Sequence, residues 1–298
     1  MAHTPVLLNK VLEILSPTPG QFVIDGTVNG GGHSAEILKK ISPNGILLGM
    51  DLDERMIETA EEKISANSKF KNQSSKLILV HGNYADLPEI LKNKKLPKAD
   101  GLLLDLGFSS SQLESGRGFS FKKDEPLLMT YGSTGITAAE VVNGLSEKEL
   151  ADIFYKYGEE RRSRQIAKRI VEARKKKRIM TTGELSSVIS GTVGKSYERG
   201  RIDPSTRVFQ ALRIYVNKEL ENLSQVLAEL KDILHPGGIV AIISFHSLED
   251  RLVKQVFKQM ERDRTAEILT KKPITADLEE QRDNPRSRSA KLRVIVIK

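Results

Sequence analysis

The chain of 298 residues contains no cysteine and no tryptophan, only five histidines, and 5% aromatic residues. Without cysteine there is no disulfide, no thiolate metal site and no cysteine nucleophile, and the histidines show no H-E-x-x-H or comparable ligand spacing. These absences argue against a zinc enzyme, and no metal site is expected. Long hydrophobic runs are missing too. No segment approaches the ~20 apolar residues of a membrane span, and the first residues lack the apolar core of a signal peptide. A cytoplasmic protein with no membrane partner is expected.

What the chain does have is basic charge. Lysine and arginine outnumber aspartate and glutamate by 47 to 39, a formal net charge of +8 that suits an anionic partner. The excess is uneven: Gly158 to Arg178 holds ten Lys or Arg against three Glu, a local net of 10 − 3 = +7. Ile166, Ile170 and Val171 recur there at helical spacing, so the segment reads as a helix with one buried and one basic face, either a nucleic-acid contact or a plain solvated surface.

The most telling stretch is Phe22-Val23-Ile24-Asp25-Gly26-Thr27-Val28-Asn29-Gly30-Gly31-Gly32-His33-Ser34, an apolar strand running through a glycine-rich turn into a helix. At the carboxyl end of a strand in an α/β sheet, such a turn offers helix N-terminal N–H groups to a ligand. The spacing is not G-x-G-x-x-G, and Asp25 would repel a pyrophosphate, which argues against a dinucleotide. An acid at that point suits a ligand bearing an ammonium group, as S-adenosylmethionine does.

Strand patterns fall at Gln21 to Asp25, Gly45 to Asp51, Lys76 to His81, Ala99 to Asp105, Gly238 to Phe245 and Leu292 to Ile297. The first four alternate with helical patterns at Ser34 to Ile41, Glu54 to Ala66 and Asp86 to Leu91. Near-continuous hydrophobicity, as in Gly101-Leu102-Leu103-Leu104, marks strands covered on both faces. An α/β fold with a doubly wound, mostly parallel, Rossmann-like sheet is expected. Over a hundred residues separate the fourth and fifth strands, and the amphipathic run Arg207 to Leu234 is expected to supply the crossover helix. Residues 109–206 then form an inserted helical substrate-recognition subdomain overhanging the pocket, and residues 1–108 and 207–298 form the cofactor-binding domain.

Parallel strands bring their carboxyl ends to one edge. Asp25 ends the first strand, and Asp51 ends the second, 20 residues beyond Gly31, the usual offset for an acid that binds ribose hydroxyls. Tyr84 follows the third strand and either lies against an adenine ring or belongs to the core rim. Asp105, Leu106, Gly107 and Phe108 follow the fourth, and His246 the fifth. Asp105, or the carbonyls of Leu106 and Gly107, would accept a hydrogen bond from a target amine. Phe108 either stacks on the target base or roots the insertion. His246 either relays a proton or is a structural histidine. A cleft at this edge would accept an unstacked nucleotide.

Eight blocks of the chain resemble the bacterial small-subunit ribosomal RNA methyltransferase H family (MraW). They are His3 to Leu8, Asp25-Gly26-Thr27 through Ser34, Asp105-Leu106-Gly107 through Leu113, and Arg117-Gly118-Phe119-Ser120-Phe121, followed by Tyr157-Gly158-Glu159-Glu160-Arg161, Arg207 through Ile214, Ser244 through Arg251, and Asn284-Pro285-Arg286-Ser287-Arg288-Ser289. The resemblance implies an S-adenosylmethionine-dependent enzyme that methylates N4 of a cytidine in the decoding region, at the P site, of 16S rRNA. Its partner would be 16S rRNA within a 30S or pre-30S particle, with no DNA, as monomer or homodimer. By motif position it implies cofactor contacts from Gly31, Gly32, His33, Asp51, Tyr84, Asp105 and Gln112, and the residues themselves add Asp25. The chain departs from the family's usual pattern at Val28-Asn29, Phe108, Ser111 and Leu128-Met129-Thr130-Tyr131. Two other readings share the cofactor half: a DNA or protein amino-methyltransferase, and a non-catalytic RNA-binding assembly factor.

Overall fold

A computed structural model describes residues 5–66, 74–132, 135–194, 197–200 and 202–298. His3 and Thr4 of the opening block lie outside these residues. The chain forms two compact units: residues 1–108 with 220–298, and residues 109–219.

The first unit is built on seven strands: β1 (Phe22–Asp25), β2 (Ile46–Asp51), β3 (Lys76–His81), β4 (Ala99–Asp105), β5 (Leu234–Ser244), β6 (Ala266–Ile268) and β7 (Lys291–Ile297). They lie in the order β3-β2-β1-β4-β5-β7-β6, with β1 to β5 parallel and β7 antiparallel to both β5 and β6. This is a doubly wound, mostly parallel, Rossmann-like sheet, as expected.

Alternation along each strand divides one apolar run between two cores. Phe22, Ile24, Leu102, Leu104, Val240 and Ile242 pack with Leu223, Val226, Leu230 and Phe257 on one face. Val23, Leu103, Ala241 and Ile243 pack with Val11, Leu15, Ile37 and Ile41 on the other. Burial on both faces is why these strands carry no polar alternation.

The Pro5–Leu15 segment is tied to the far end of the chain, where the Leu7 N–H donates to Glu280 Oε1 at 2.6 Å. The short strand β6 pairs antiparallel with β7 at the edge of the sheet.

In the second unit, helices span Ala138–Gly144, Glu147–Gly158, Ser163–Arg174, Thr182–Val193 and Ser205–Asn217. Three of them start in capping boxes, Thr137 with Glu140, Ser146 with Glu149 and Thr181 with Glu184, each satisfying two otherwise orphaned N–H groups. The Arg117-to-Phe121 block packs inside this unit: Phe119 stacks on Tyr131 at 5.1 Å, Arg117 lies 5.5 Å from the Phe119 ring centre, and Phe121 meets Phe209 edge-on.

The boundary expected after Thr206 falls after Glu219 instead, and the expected Arg207-to-Leu234 helix is broken. It divides into Ser205–Asn217, Glu219–Ala228 and Leu230–Ile233. Lys218 adopts a left-handed conformation (φ 52°), and Asn217 spends its side-chain N–H groups on the carbonyls of Arg213 and Met129. A two-bond fork from Arg213 to Glu219, at 3.0 Å each, secures the break. Tyr131, one of the departures from the family pattern, joins this knot through its N–H to Asn217 and its hydroxyl to Glu219.

Candidate active site

Three acids end three adjacent parallel strands, β2, β1 and β4, so Asp51, Asp25 and Asp105 share one edge of the sheet. All three are buried, with 1% of Asp25, 7% of Asp51 and 5% of Asp105 exposed. Asp25 accepts from the Ser34 hydroxyl at 2.6 Å and the Thr27 N–H at 3.2 Å, bonds that fold the turn back onto its own helix. Asp51 accepts from the Asn29 and Asp53 N–H groups at 3.0 and 2.9 Å. Asp105 accepts weakly from the Gly107 N–H at 3.4 Å, and its second oxygen lies 3.7 Å from His33 Nδ1. The His33 Nε2 bonds the Val6 carbonyl at 3.0 Å, which sets the ring's orientation.

Gly31 caps the Gly32–Ile41 helix with φ at 80°, a backbone angle that favours glycine, and no side chain caps that helix. The positive end of that helix's dipole favours an anion beside the turn.

Burial pushes each acid up from its ordinary 3.8. Asp25 rises to about 6, with the Ser34 and Thr27 bonds acting against the shift. Asp51 rises to about 7, opposed by the Asp53 and Asn29 N–H groups. Asp105 rises to about 8, where the charges of Asp25 and Glu249 add to burial and Arg286 opposes it. Three carboxyls buried at one edge, with burial outweighing the Arg286 charge at Asp105, make a local environment that favours a cation.

Tyr84 opens a short 3-10 turn, Tyr84–Asp86, and is half-buried at the core margin. Gln112 is buried in the second unit, where its Oε1 accepts from the Ser109 N–H at 2.7 Å. Phe108 ends the first unit and is half-buried. His246 caps the Ser247–Arg262 helix, with Nδ1 accepting from the Glu249 N–H at 3.3 Å. Its Nε2 lies 3.1 Å from Glu249 Oε1, outside hydrogen-bonding alignment, so the ring serves the helix start.

Asn29 is the residue that reading the sequence missed. Its left-handed backbone (φ 46°) aims its N–H at Asp51, and its side-chain amide donates to the carbonyls of Asp105 at 3.1 Å and Gly107 at 2.9 Å. One side chain thus splices the β1 turn to the β4 end. On the other side of that end, the Phe245 ring occupies the space a Gly107 side chain would need. The signal was present: asparagine tolerates the left-handed region, and its amide supplies two donors.

A family model described as the MraW methylase family matches residues 1–298. The chain belongs to that family. The MraW methylases use S-adenosylmethionine. Among curated relatives, the chain is 47% identical over 293 residues to the ribosomal RNA small subunit methyltransferase H of Persephonella marina, covering 98% of each. It is 47% identical over 294 residues to the protein of that name from Coprothermobacter proteolyticus, covering 98% of this chain and 95% of that protein. Among solved structures, a SAM dependent methyltransferase from Aquifex aeolicus is matched over 98% of this chain and 90% of that one, at 12% identity and a TM-score of 0.42.

Proposed function

We propose that this MraW methylase transfers a methyl group from S-adenosylmethionine to the N4 amine of a cytidine in the decoding region of 16S rRNA, within a 30S or pre-30S particle in the cytoplasm. The observation that carries the reading is the convergence of three buried carboxyls beside the glycine-rich turn. The names of the relatives support ribosomal RNA as the substrate.

The donor set fits the cofactor. S-adenosylmethionine would bring an ammonium for Asp25 and Asp105, a ribose diol for Asp51, and a carboxylate for the turn and helix start at Gly31, Gly32 and His33, and Tyr84 would border the adenine. When bound, it supplies an electrophilic methyl group on a sulfonium that departs as a neutral thioether. Little acid or base help is then needed, and alignment carries most of the acceleration.

The cytosine amine is a poor nucleophile because its lone pair is delocalised into the ring. An acceptor on its N–H restores electron density to nitrogen. Asn29 occupies the carbonyls of Asp105 and Gly107, and among the described residues no group donates to the Leu106 carbonyl between them. That oxygen accepts the amine N–H, Asp105 orders the segment, and Phe108 stacks on the base.

Mass spectrometry of 16S rRNA from cells with and without the gene tests this reading. Loss of N4-methylation at a decoding-region cytidine is expected, and an unchanged pattern overturns the assignment. Calorimetry with S-adenosylmethionine should show binding by wild type and none by Asp51→Ala.

A further inference from the structure

The second unit contains cations that its own acids do not consume. Along the basic segment, Arg169 pairs with Glu172 at 2.8 Å, Lys177 with Glu184 at 2.6 Å, and Arg174 donates to the Val142 carbonyl. Arg161 and Arg164 are exposed, and among the described residues neither makes an ion pair or hydrogen bond. Both line a cavity of about 550 Å³, with Asp152, Tyr155, Arg162 and Gln165 on its wall. That size lies within the ~300–1,000 Å³ of small-molecule sites.

The wall is rigidly built. The Glu147–Gly158 helix stops at Glu159 in a left-handed conformation (φ 51°), and the next residue, Glu160, is fully buried. Glu160 accepts from the Arg162 N–H at 2.7 Å and from the Tyr197 hydroxyl, while the Arg162 guanidinium donates to the Val193 carbonyl at 2.8 Å. The Glu159-Glu160-Arg161 signature therefore works as scaffold, fixing the turn from which Arg161 and Arg164 reach solvent.

Tyr155 is 67% exposed, more than any other aromatic residue among the exposed large hydrophobics. An exposed ring, two unneutralised guanidinium groups and one carboxylate on the same cavity call for a ligand with a flat face, a negative charge and a donor. An unpaired nucleotide has all three: a base to lie on Tyr155, phosphates for Arg161 and Arg164, and a base N–H for Asp152. A duplex hides its base faces, and an acidic peptide has no flat face to offer the ring and meets Asp152 with like charge. We propose that this cavity binds one unpaired nucleotide of the RNA substrate other than the reacting cytidine. The inference rests on the RNA reading above, and Lys168, one helical turn beyond Arg164, continues the phosphate track.

The experiment uses the full chain without methyl donor and a fluorescein-labelled single-stranded RNA pentanucleotide, read by anisotropy across a salt series. Tyr155→Ala should weaken binding about tenfold, the effect of losing one base stack, with the salt slope unchanged. Tyr155→Phe should bind like wild type. Arg161→Ala with Arg164→Ala should lower the log–log salt slope by about 1.4, the loss of two phosphate contacts on a single strand. Wild-type affinity in Tyr155→Ala overturns the proposal, as does a hexaglutamate peptide that competes as well as unlabelled RNA. Tyr155 is solvent-exposed, so its variants fold, and unchanged calorimetric binding of S-adenosylmethionine confirms it. Wild-type affinity in Tyr155→Ala, with RNA still bound, sinks the cavity alone. A wild-type chain that bound no RNA of any length would sink the substrate reading as well.

Discussion

The acid-lined strand edge of the first unit and the arginine turn of the second solve opposite problems. At the edge, Asp25, Asp51 and Asp105 are buried and held by Ser34, Thr27, Asn29, Asp53 and Gly107, so burial raises the cost of their charge. At the turn, the buried bonds of Glu160 hold only the backbone, and the guanidinium groups of Arg161 and Arg164 stand in solvent. A small cofactor that recurs in one pose rewards a preorganised interior. A long polyanion rewards exposed cations that can release its counterions.

The sharpest break of this comparison is Asp105→Ala, which removes the acid deepest in the proposed chemistry. Turnover should fall by a hundredfold or more, on the order of an oxyanion-donor deletion, measured by methyl incorporation into 30S particles. A fall of less than tenfold would remove Asp105 from the reacting centre. Next in size is Arg161→Ala, Arg164→Ala and Lys168→Ala combined, which should lower the salt slope of RNA binding by about 2 while S-adenosylmethionine binds as before. An unchanged slope would make the basic face a solvated surface.

Proton linkage separates the two regions a third way. Burial raises Asp25, Asp51 and Asp105 to about 6, 7 and 8 from 3.8, so the folded, ligand-free chain binds more protons than the unfolded one. The stabilisation is present in full below about pH 4 and is lost as pH rises through those values, each unit being worth about 1.4 kcal/mol. Calorimetric Tm without cofactor should fall between pH 5 and 8. The stabilisation by S-adenosylmethionine should grow over the same range, because the charged carboxylates are the binding form. A cofactor effect independent of pH would show that the acids stay ionised when empty.

Two smaller effects sharpen the edge itself. Asn29→Gly keeps the left-handed backbone and the N–H to Asp51 but loses the amide on Asp105 and Gly107. Turnover should fall about threefold to tenfold, the worth of one or two hydrogen bonds, with cofactor affinity unchanged. His246→Ala should cost about 1 kcal/mol in thermal unfolding as a lost helix cap and leave turnover alone, whereas a proton relay would lose activity.

The sheet was legible because burial on both faces writes itself into Val, Ile and Leu runs, and the three acids were legible because parallel strands place their ends together. The helix break at Lys218 was not, since it depends on Asn217 reaching the Met129 carbonyl, 88 residues away. Asn29 escaped for a similar reason: its partners on β4 lie beyond local spacing. His246 read as either a proton relay or a structural histidine, and the Glu249 N–H on its Nδ1, a contact three residues away, supports the structural role at a helix start. Local patterns disclose elements and acids, and long-range hydrogen bonds decide how they are joined.

The bond from the Leu7 N–H to Glu280 has a consequence for synthesis on the ribosome. β4 pairs with β5 across the whole second unit, and the Val6 carbonyl that orients His33 belongs to a segment pinned by a residue 273 positions later. The first hundred residues leave the exit tunnel with their central strand edge open and their leading segment unanchored. The intervening helices, with their own capping boxes, can fold during that wait. The edge at Asp105 and His33 therefore takes its final form only once β5 and Glu280 have been made.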